Sequence, residues 1–255
     1  MMMMKALILT AGKGSRLRPY TDHCPKGMIE VEGKTILERQ IELFHSLGIT
    51  EIGIVKGYKA ESVKTPPEVV HYINEEYDTT NMAQTLLCAE SFFDDEVIVS
   101  YSDILYHRSV LEALLDCKHV PAVVVDQDWK PYFAERFGNP FEDAESLELN
   151  EANHIVSIGK PSPDPHEIQA QYIGLMKFNV HTMQHIKLML SQGEQASIGW
   201  GRPPRQCYLT DVIQQLVYDG LELKAVKING GWLEIDTARD YELAKRLFPQ
   251  RIAYV

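Results

Sequence analysis

Residues 4–26 read MKALILTAGKGSRLRPYTDHCPK, a short apolar run followed by a glycine-rich, cationic loop. The apolar run at 7–9 is typical of a buried parallel strand, which needs apolar residues on both faces. Gly12 and Gly14 follow soon after, and glycine lets backbone N–H groups turn toward an anion. The cations of the loop are Lys13, Arg16, Arg18 and Lys26. Because phosphate sites in α/β proteins form just past the carboxyl end of a strand, this loop predicts one.

The spacing of these glycines argues against two common nucleotide-binding motifs. The dinucleotide fingerprint G-x-G-x-x-G needs a third glycine where this chain has Leu17, and no G-x-x-x-x-G-K-[ST] string occurs. Residues 11–26 do match A-G-x-G-[ST]-R-L-x-P-x-T-x-x-x-P-K over its full length. This string resembles the signature of the sugar-phosphate nucleotidyltransferases, which include the nucleoside-diphosphate-sugar pyrophosphorylases and their cytidylyltransferase relatives.

The order of apolar runs and amphipathic segments predicts the fold. Apolar residues recur at helical spacing over 36–47, and short apolar runs stand on either side of such segments, which predicts βαβ units. A helix is also expected over 82–93. The resemblance implies the same class: a Rossmann-like three-layer α/β/α fold with a mixed, mostly parallel sheet. We expect a single domain over 1–255, with a nucleotide-binding half at about 1–127 and an acceptor-binding half at about 128–255.

Composition narrows the classes of partner. The chain has 255 residues, 45% of them hydrophobic, and a formal net charge of −11. Such a charge argues against a general nucleic-acid or anionic-membrane surface, although local cations and a divalent metal can reverse the field in one cleft. Four scattered cysteines without a C-x-x-C pair predict free thiols in a reducing compartment. No apolar run approaches the roughly 18–20 residues of a membrane span. We therefore expect a cytoplasmic protein with neither nucleic-acid nor membrane partners.

The resemblance implies a set of nucleotide-binding residues. They are Thr10, Ala11, Gly12, Gly14, Ser15, Asn81, Gln84 and Ser102. The amides of Asn81 and Gln84 are expected to face the base, since an amide both donates and accepts and pairs with either pyrimidine edge. Taken alone, Asn81 before a helix is more typical of an N-cap.

Metal and catalytic residues are also implied. Asp103 follows the predicted strand 97–101, and a carboxylate at the end of such a strand is in position to hold Mg²⁺ against phosphates. Asp236 matches the second family aspartate and also predicts the N-cap of the last helix. Together they imply a Mg²⁺ site. Arg16 is expected to hold the departing pyrophosphate, and Lys26 to neutralise the α-phosphate. Without the family signature, Asp103 is equally typical of a turn.

The resemblance implies an acceptor site in the second half of the chain. Its residues are Lys160, Tyr172, Gly174 and Glu234. Lys160 is expected to contact the acceptor phosphate, and a glycine inside a strand often marks close approach by a ligand. Segments 136–145 and 169–175 are similar to phosphoglutamine- and phosphonate-type cytidylyltransferases. Asn81 at the start of the predicted helix and segment 234–236 near the end of the chain look like those of phosphocholine-type cytidylyltransferases. CTP and a small phosphorylated or phosphonate acceptor are therefore favoured, with a possible homodimer as the assembly.

Other interpretations stay open. The alternatives are a hexose-1-phosphate nucleotidyltransferase that uses UTP or dTTP, a non-catalytic regulatory relative that binds nucleotide, and a dinucleotide oxidoreductase. His181 and His185 stand at i, i+4, a spacing that can bind zinc, but no third ligand is evident. Arg202 and Arg205 either grip an acceptor carboxylate or are solvated.

Overall fold

The computed structural model describes residues 4–161, 164–193 and 195–252. In this part of the chain the strands are β1 (Lys5–Thr10), β2 (Glu30–Val31), β3 (Lys34–Thr35), β4 (Ile52–Lys56), β5 (Val70–Ile73), β6 (Val97–Tyr101), β7 (Ile104–Tyr106), β8 (Ala122–Asp126), β9 (Leu147–Leu149), β10 (Ile155–Ile158), β11 (Gln171–Phe178), β12 (Lys224–Ile228) and β13 (Trp232–Glu234). The α-helices are α1 (Ile36–Ser46), α2 (Met82–Leu87), α3 (Arg108–Asp116), α4 (Trp129–Phe137), α5 (Val180–Leu190), α6 (Leu209–Tyr218) and α7 (Ala238–Arg251).

A seven-stranded sheet in the order β12-β8-β11-β6-β1-β4-β5 organises the molecule. All neighbouring pairs are parallel except those of β11, which runs antiparallel to β6 and β8. The first residues of β11 therefore lie beside the carboxyl ends of its neighbours. This brings Tyr172 and Gly174 to the edge where β1 and β6 end. The predicted mixed, mostly parallel sheet is confirmed.

Helices cover both faces of the sheet, as three layers require. Successive residues of β1 alternate between the two cores, with Ile8 in one and Leu9 in the other. The first core includes apolar residues of α1, α3, α4 and α7. The second includes those of α2, α5 and α6. Because β1 is buried along its whole length, it is the apolar strand that the sequence predicts.

One predicted helix differs from the structure in its length, and two elements were not predicted. The helix expected over 82–93 ends at Leu87, and a 3-10 turn at Glu90–Phe92 follows, so that the adjacent Phe92 and Phe93 are both buried. Segment 128–145 contains α4, which ends where Gly138 adopts a φ of 85°. Strand β12 was not predicted, because lysines interrupt its apolar pattern.

The N-cap of α7 is Thr237, and the expectation for Asp236 is wrong. The Thr237 side chain accepts a hydrogen bond from the Asp240 backbone N–H, and the Asp240 carboxylate accepts one from the Thr237 N–H. This reciprocal pair satisfies the backbone donors at the start of the helix. The Asp236 carboxylate is therefore available for other contacts.

Across the described ranges, no helix is both long and apolar enough to cross a membrane.

Candidate active site

Two adjoining cavities open at the carboxyl ends of β1 and β6. The smaller, of about 350 Å³, is lined by the loop after β1 and is called the loop chamber. The larger, of about 460 Å³, is called the acidic chamber because Asp143, Glu145, Asp211 and Glu234 line it. The residues that line both are Arg16, Lys26, Asn81, Met82, Tyr101, Asp103, Tyr208 and Asp236. The two chambers are thus parts of one cleft and meet at a charged centre.

Lys26 lies between two aspartates at this junction. Its Nζ atom is 2.6 Å from Asp103 Oδ2 and also donates to Asp236 Oδ1. The Arg16 guanidinium pairs with the other oxygen of Asp236. Burial alone would lower the pKa of Lys26, but the Asp103 and Asp236 carboxylates raise it above its ordinary value. The lysine is therefore a permanent cation at neutral pH.

The two aspartates offer a donor set that fits Mg²⁺. Both supply hard carboxylate oxygens, and they converge from the segment after β6 and the turn before α7. Asp103 Oδ1 is buried and accepts no hydrogen bond from any described residue. A buried, unpaired carboxylate oxygen is unfavourable unless a cation or a donor reaches it. The unpaired Oδ1 of Asp103 agrees with a role of this residue in binding a metal ion.

The loop after β1 packs directly on Lys26. Gly14 has a φ of 57°, and a Cβ there would lie 2.7 Å from Lys26 Cγ, so only glycine fits without displacement. Gly12, Gly14, Ser15 and Arg16 line the loop chamber. Of the loop's four cations, Lys13 instead pairs with Asp78, and Arg18 lies near Asp22 at 3.5 Å. Arg16 and Lys26 are the ones that reach the cleft.

Two of the residues expected to bind nucleotide lie beneath the loop. Thr10 and Ala11 are both buried, and neither lines a chamber. The Ala11 carbonyl accepts a hydrogen bond from the Tyr58 N–H at 2.9 Å. Thr10 Oγ1 is buried without a hydrogen-bond partner among the described residues. These residues support the loop rather than form its surface.

Of the other three residues expected to bind nucleotide, two line the cleft and one does not. Asn81 lines both chambers and caps α2, its Oδ1 accepting from the Met82 N–H at 2.9 Å. Ser102 lines the loop chamber. Gln84 lies outside the described lining of either chamber, and its amide donates to the Pro204 carbonyl at 3.4 Å.

Segment 199–207 folds back over the start of α2. The Asn81 N–H donates to the Arg205 carbonyl at 3.0 Å, and the Ala83 N–H donates to the Cys207 carbonyl at 3.1 Å. The Arg205 side chain pairs with Glu76 at 2.9 Å and lies outside the cleft lining. Arg202 does line the acidic chamber, where it pairs with Asp211 at 3.0 Å.

The acidic chamber carries more carboxylates than cations. Asp211 is paired with Arg202 and Glu234 with Arg136, whereas within the described ranges no cation lies within 4.0 Å of the carboxylates of Asp143 or Glu145. The Glu145 side chain reaches solvent in the open cleft, yet desolvation by the chamber walls raises its pKa to about 7, with Glu234, Asp143 and Asp211 adding to the rise.

Aromatic rings form much of the remaining wall. They belong to Tyr101, Phe133, Tyr172, Tyr208 and Trp232. The rings of Tyr101 and Tyr172 meet edge to face, with 5.7 Å between their centroids. Anionic side chains beside aromatic faces favour a ligand that carries a positive charge.

Buried Arg136 organises the wall behind Asp236. Its Nε donates to Asp240 Oδ1 at 2.9 Å, and its Nη1 donates to Glu234. Asp240 in turn accepts the backbone N–H of Asp236 at 3.3 Å and that of Thr237 at 2.9 Å. Although burial alone would raise it, the pKa of Asp240 is lowered by the paired guanidinium. Arg136 therefore positions the turn that carries Asp236.

The residues expected to bind the acceptor do not all share one surface. Tyr172, Gly174 and Glu234 line the acidic chamber. Gly174 has a φ of 84°, and a Cβ there would lie 2.6 Å from the Tyr101 ring, so the glycine is required by a packed tyrosine. Lys160 lies outside the described lining, and its Nζ is 2.5 Å from Glu167 Oε1.

Sequence reasoning missed Tyr208, Trp232 and Arg136. Arg136 had a weak signal, since it occurs among aromatic residues in a segment that ends at Gly138. Tyr208 had none, because its place depends on how segment 199–207 folds back. A further cavity of about 580 Å³, between α1 and α7, contains none of the predicted site residues in its described lining.

The chain is similar in sequence to a known family and to characterised proteins. Residues 6–159 match the family model described as a MobA-like NTP transferase domain. The chain is 36% identical to the CTP:phosphoglutamine cytidylyltransferase of Campylobacter jejuni over 250 residues, covering 94% of this chain and 98% of the relative. It is 25% identical to the UTP–glucose-1-phosphate uridylyltransferase of Haloferax volcanii over 258 residues, with 95% and 96% covered.

A solved structure shares the fold. The CTP:phosphocholine cytidylyltransferase of Streptococcus pneumoniae aligns with a TM-score of 0.72 at 22% identity, covering 96% of this chain and 99% of that chain. The alignments with these two relatives and with this structure span nearly the whole length of both partners.

Proposed function

Because this chain belongs to the nucleotidyltransferases with a MobA-like NTP transferase domain, we propose that it transfers CMP from CTP to a small phosphorylated or phosphonate acceptor and releases pyrophosphate. The observation that carries the proposal is the Lys26, Asp103 and Asp236 centre at the junction of two chambers. A transfer between two substrates needs such a junction, since the attacking and leaving groups must meet in line.

The proposed reaction forms a bond from an acceptor oxygen to the α-phosphorus of CTP and breaks the bond to the bridging oxygen of pyrophosphate. Backbone N–H groups at Gly12 and Gly14, with Arg16, would hold the triphosphate in the loop chamber. The Lys26 ammonium would neutralise charge that develops at the α-phosphate, exchanging its carboxylate contacts for phosphate oxygens. Asp103 and Asp236 would hold Mg²⁺, which supplies further charge neutralisation when bound.

We place the acceptor in the acidic chamber and expect it to carry an ammonium group. The support is a pair of carboxylates, Asp143 and Glu145, that make no ion pair within 4.0 Å among the described residues and lie in the chamber lined by the rings of Tyr101 and Tyr172. The relative from Campylobacter jejuni acts, by its name, on phosphoglutamine, an amino acid derivative. The structural neighbour acts, by its name, on phosphocholine, a quaternary ammonium compound. A hexose 1-phosphate lacks such a charge.

The test is pyrophosphate release with Mg²⁺ across CTP, UTP, dTTP, ATP and GTP. Each nucleotide is paired with phosphoglutamine, phosphocholine, 2-aminoethylphosphonate or glucose 1-phosphate. The expected result is release with CTP and an ammonium-bearing acceptor. Asp103→Asn should reduce the rate by about 10²–10³, the loss typical of one charge-stabilising group. Asp78→Asn, which removes a carboxylate outside both chambers, serves as the matched control.

Two results would contradict the proposal. Release confined to glucose 1-phosphate with UTP or dTTP would assign the chain to the sugar branch. Tight CTP binding without release in any pairing would favour a regulatory relative.

A further inference from the structure

His119, His154 and Glu222 come together at the edge of the sheet opposite the cleft. His119 precedes β8, Glu222 precedes β12, and His154 precedes β10. Because β8 and β12 are parallel, their first residues share the amino-terminal edge. The length of β8, about 13 Å at 3.3 Å per residue, separates this cluster from the carboxyl edge.

The three side chains offer donor atoms at short range. One ligand atom from each lies within 4.8 Å of the other two. His154 Nδ1 is 4.0 Å from Glu222 Oε2, and the rings of His119 and His154 have centroids 5.2 Å apart. The cluster is thus two imidazoles and one carboxylate, drawn from three segments that are distant in sequence.

The backbone holds these segments at a fixed spacing. The Lys224 N–H donates to the Pro121 carbonyl at 3.1 Å, and the Ile155 N–H donates to the Leu223 carbonyl at 2.9 Å. The Ala225 N–H donates to the Asn153 carbonyl, also at 2.9 Å. Each donor or acceptor is within three residues of one member of the cluster. The side chains therefore project from a hydrogen-bonded frame rather than from independent loops.

A hydrogen bond also orients one imidazole. His119 Nε2 lies 2.9 Å from the Glu222 backbone carbonyl, which can only accept. Nε2 therefore carries the proton in the neutral ring, and the lone pair remains on Nδ1. Histidines that bind metals usually donate their other ring N–H to a carbonyl or carboxylate in this way.

We propose that His119, His154 and Glu222 bind one divalent transition-metal ion, with Zn²⁺ preferred over Mg²⁺ or Ca²⁺. Two nitrogen donors and one carboxylate suit zinc, whereas magnesium and calcium favour oxygen ligands. Ligand atoms around tetrahedral zinc are about 3.3 Å apart, given Zn–N bonds of about 2.0–2.1 Å. No pair of ligand atoms has to close by more than about 1.5 Å, a shift within reach of side-chain rotation at the half-buried histidines and the exposed Glu222, and water would fill the fourth position.

Bound metal would join the β9–β10 hairpin to the ends of β8 and β12. Because an ion that binds the folded chain alone stabilises it, Zn²⁺ should raise the melting temperature. This proposal is independent of the proposed function, since the cluster lies away from both chambers.

The test is calorimetric titration of the whole protein with Zn²⁺ in saturating Mg²⁺, which occupies carboxylate sites. We expect one Zn²⁺ per chain and a rise in melting temperature. Since loss of outer-shell contacts alone costs about 10–100-fold, His119→Ala and His154→Ala should weaken binding by about 100-fold or more. Tetrahedral Co²⁺ absorption should appear in the parent protein and be lost in both variants.

Two control variants locate the site. His181→Ala removes an exposed histidine elsewhere, and Asp103→Asn alters the cleft; both should keep the zinc affinity. Melting temperatures measured without metal establish that the variants fold. If a histidine variant does not fold, Glu222→Gln is tested in its place. Unchanged affinity in His154→Ala, loss of affinity in Asp103→Asn, or no zinc binding in the parent protein would each overturn the proposal.

Discussion

The ammonium nitrogen of Lys26 lies 2.6 Å from Oδ2 of Asp103, where the loop chamber and the acidic chamber meet. Lys26 follows the loop after β1, and Asp103, which is 77 residues later in sequence, follows β6. Their contact ties the phosphate loop to the proposed metal site. The Lys26 ammonium therefore balances the two carboxylates that we propose as metal ligands.

Replacing Lys26 by Met should reduce both activity and stability. The rate should fall by about 10²–10³, because one charge-stabilising donor is lost. The free energy of unfolding should fall by up to about 3–5 kcal/mol, because among the described residues Asp103 loses its ion-pair partner while Asp236 keeps its pair with Arg16. Steady-state kinetics and urea unfolding measure the two effects.

Lys26→Arg is the matched control for the charge. It should retain most of the stability while losing rate, since a guanidinium cannot reproduce the ammonium geometry. A Lys26→Met variant with full activity would contradict the role assigned to the ammonium.

The acceptor KM should depend on pH through Glu145. Its pKa is raised to about 7 from an ordinary value of 4.5, so the carboxylate becomes ionised as the pH rises through neutrality. An ammonium-bearing acceptor should bind better above this pKa. In Glu145→Gln we expect a KM about 10–100-fold higher, in line with the loss of one charged hydrogen bond, and no inflection near pH 7. The pH dependence of KM for an acceptor without an ammonium group shows the effect of phosphate titration alone and is the control.

The raised pKa of Glu145 also makes the free energy of unfolding depend on pH. Because the folded pKa is the higher one, the folded protein binds this proton more tightly than the unfolded chain does. The free energy of unfolding should therefore decrease as pH rises from about 4.5 to about 7, and this contribution should be absent in Glu145→Gln. An identical pH slope in both proteins would exclude the raised pKa.

Arg136→Met should destabilise the protein by about 3–5 kcal/mol. The arginine is 2% exposed, and its loss leaves Glu234 and Asp240 without their buried cation. Activity of the folded fraction should also fall, because Asp240 holds the backbone of Asp236. Arg246→Met is the control: its exposed pair with Glu135 should change stability by less than about 1 kcal/mol. Equal effects of the two substitutions on chemical denaturation would refute the positioning role.

Gly174→Ala should be more destabilising than Gly138→Ala. Both glycines have a positive φ, at 84° and 85°, so an alanine at either position carries backbone strain. At Gly138 an added Cβ meets no atom within 4 Å, whereas at Gly174 it would lie 2.6 Å from the Tyr101 ring. The clash with Tyr101 is expected to add about 1–3 kcal/mol to the loss of unfolding free energy in Gly174→Ala. A difference near zero would mean that Tyr101 moves freely.

The sequence by itself determined the strand and loop that begin the sheet, the mixed α/β class and the family. These follow from short-range rules: apolar runs bury strands, glycine permits the turn, and the signature of residues 11–26 is contiguous. For the same reason the positions of Asp103 and Asp236 just after strands could be read from local patterns. The Mg²⁺ and substrate assignments of these residues stay predictions.

Only the tertiary structure decided which side chains share the cleft. Arg136 meets Asp240 across 104 residues of sequence, and Gln84 turns to Pro204 across 120. Lys160 faces Glu167 rather than the chamber, and segment 199–207 brings Tyr208 to the junction. Such contacts depend on how packed layers orient distant segments, and no local propensity encodes that orientation.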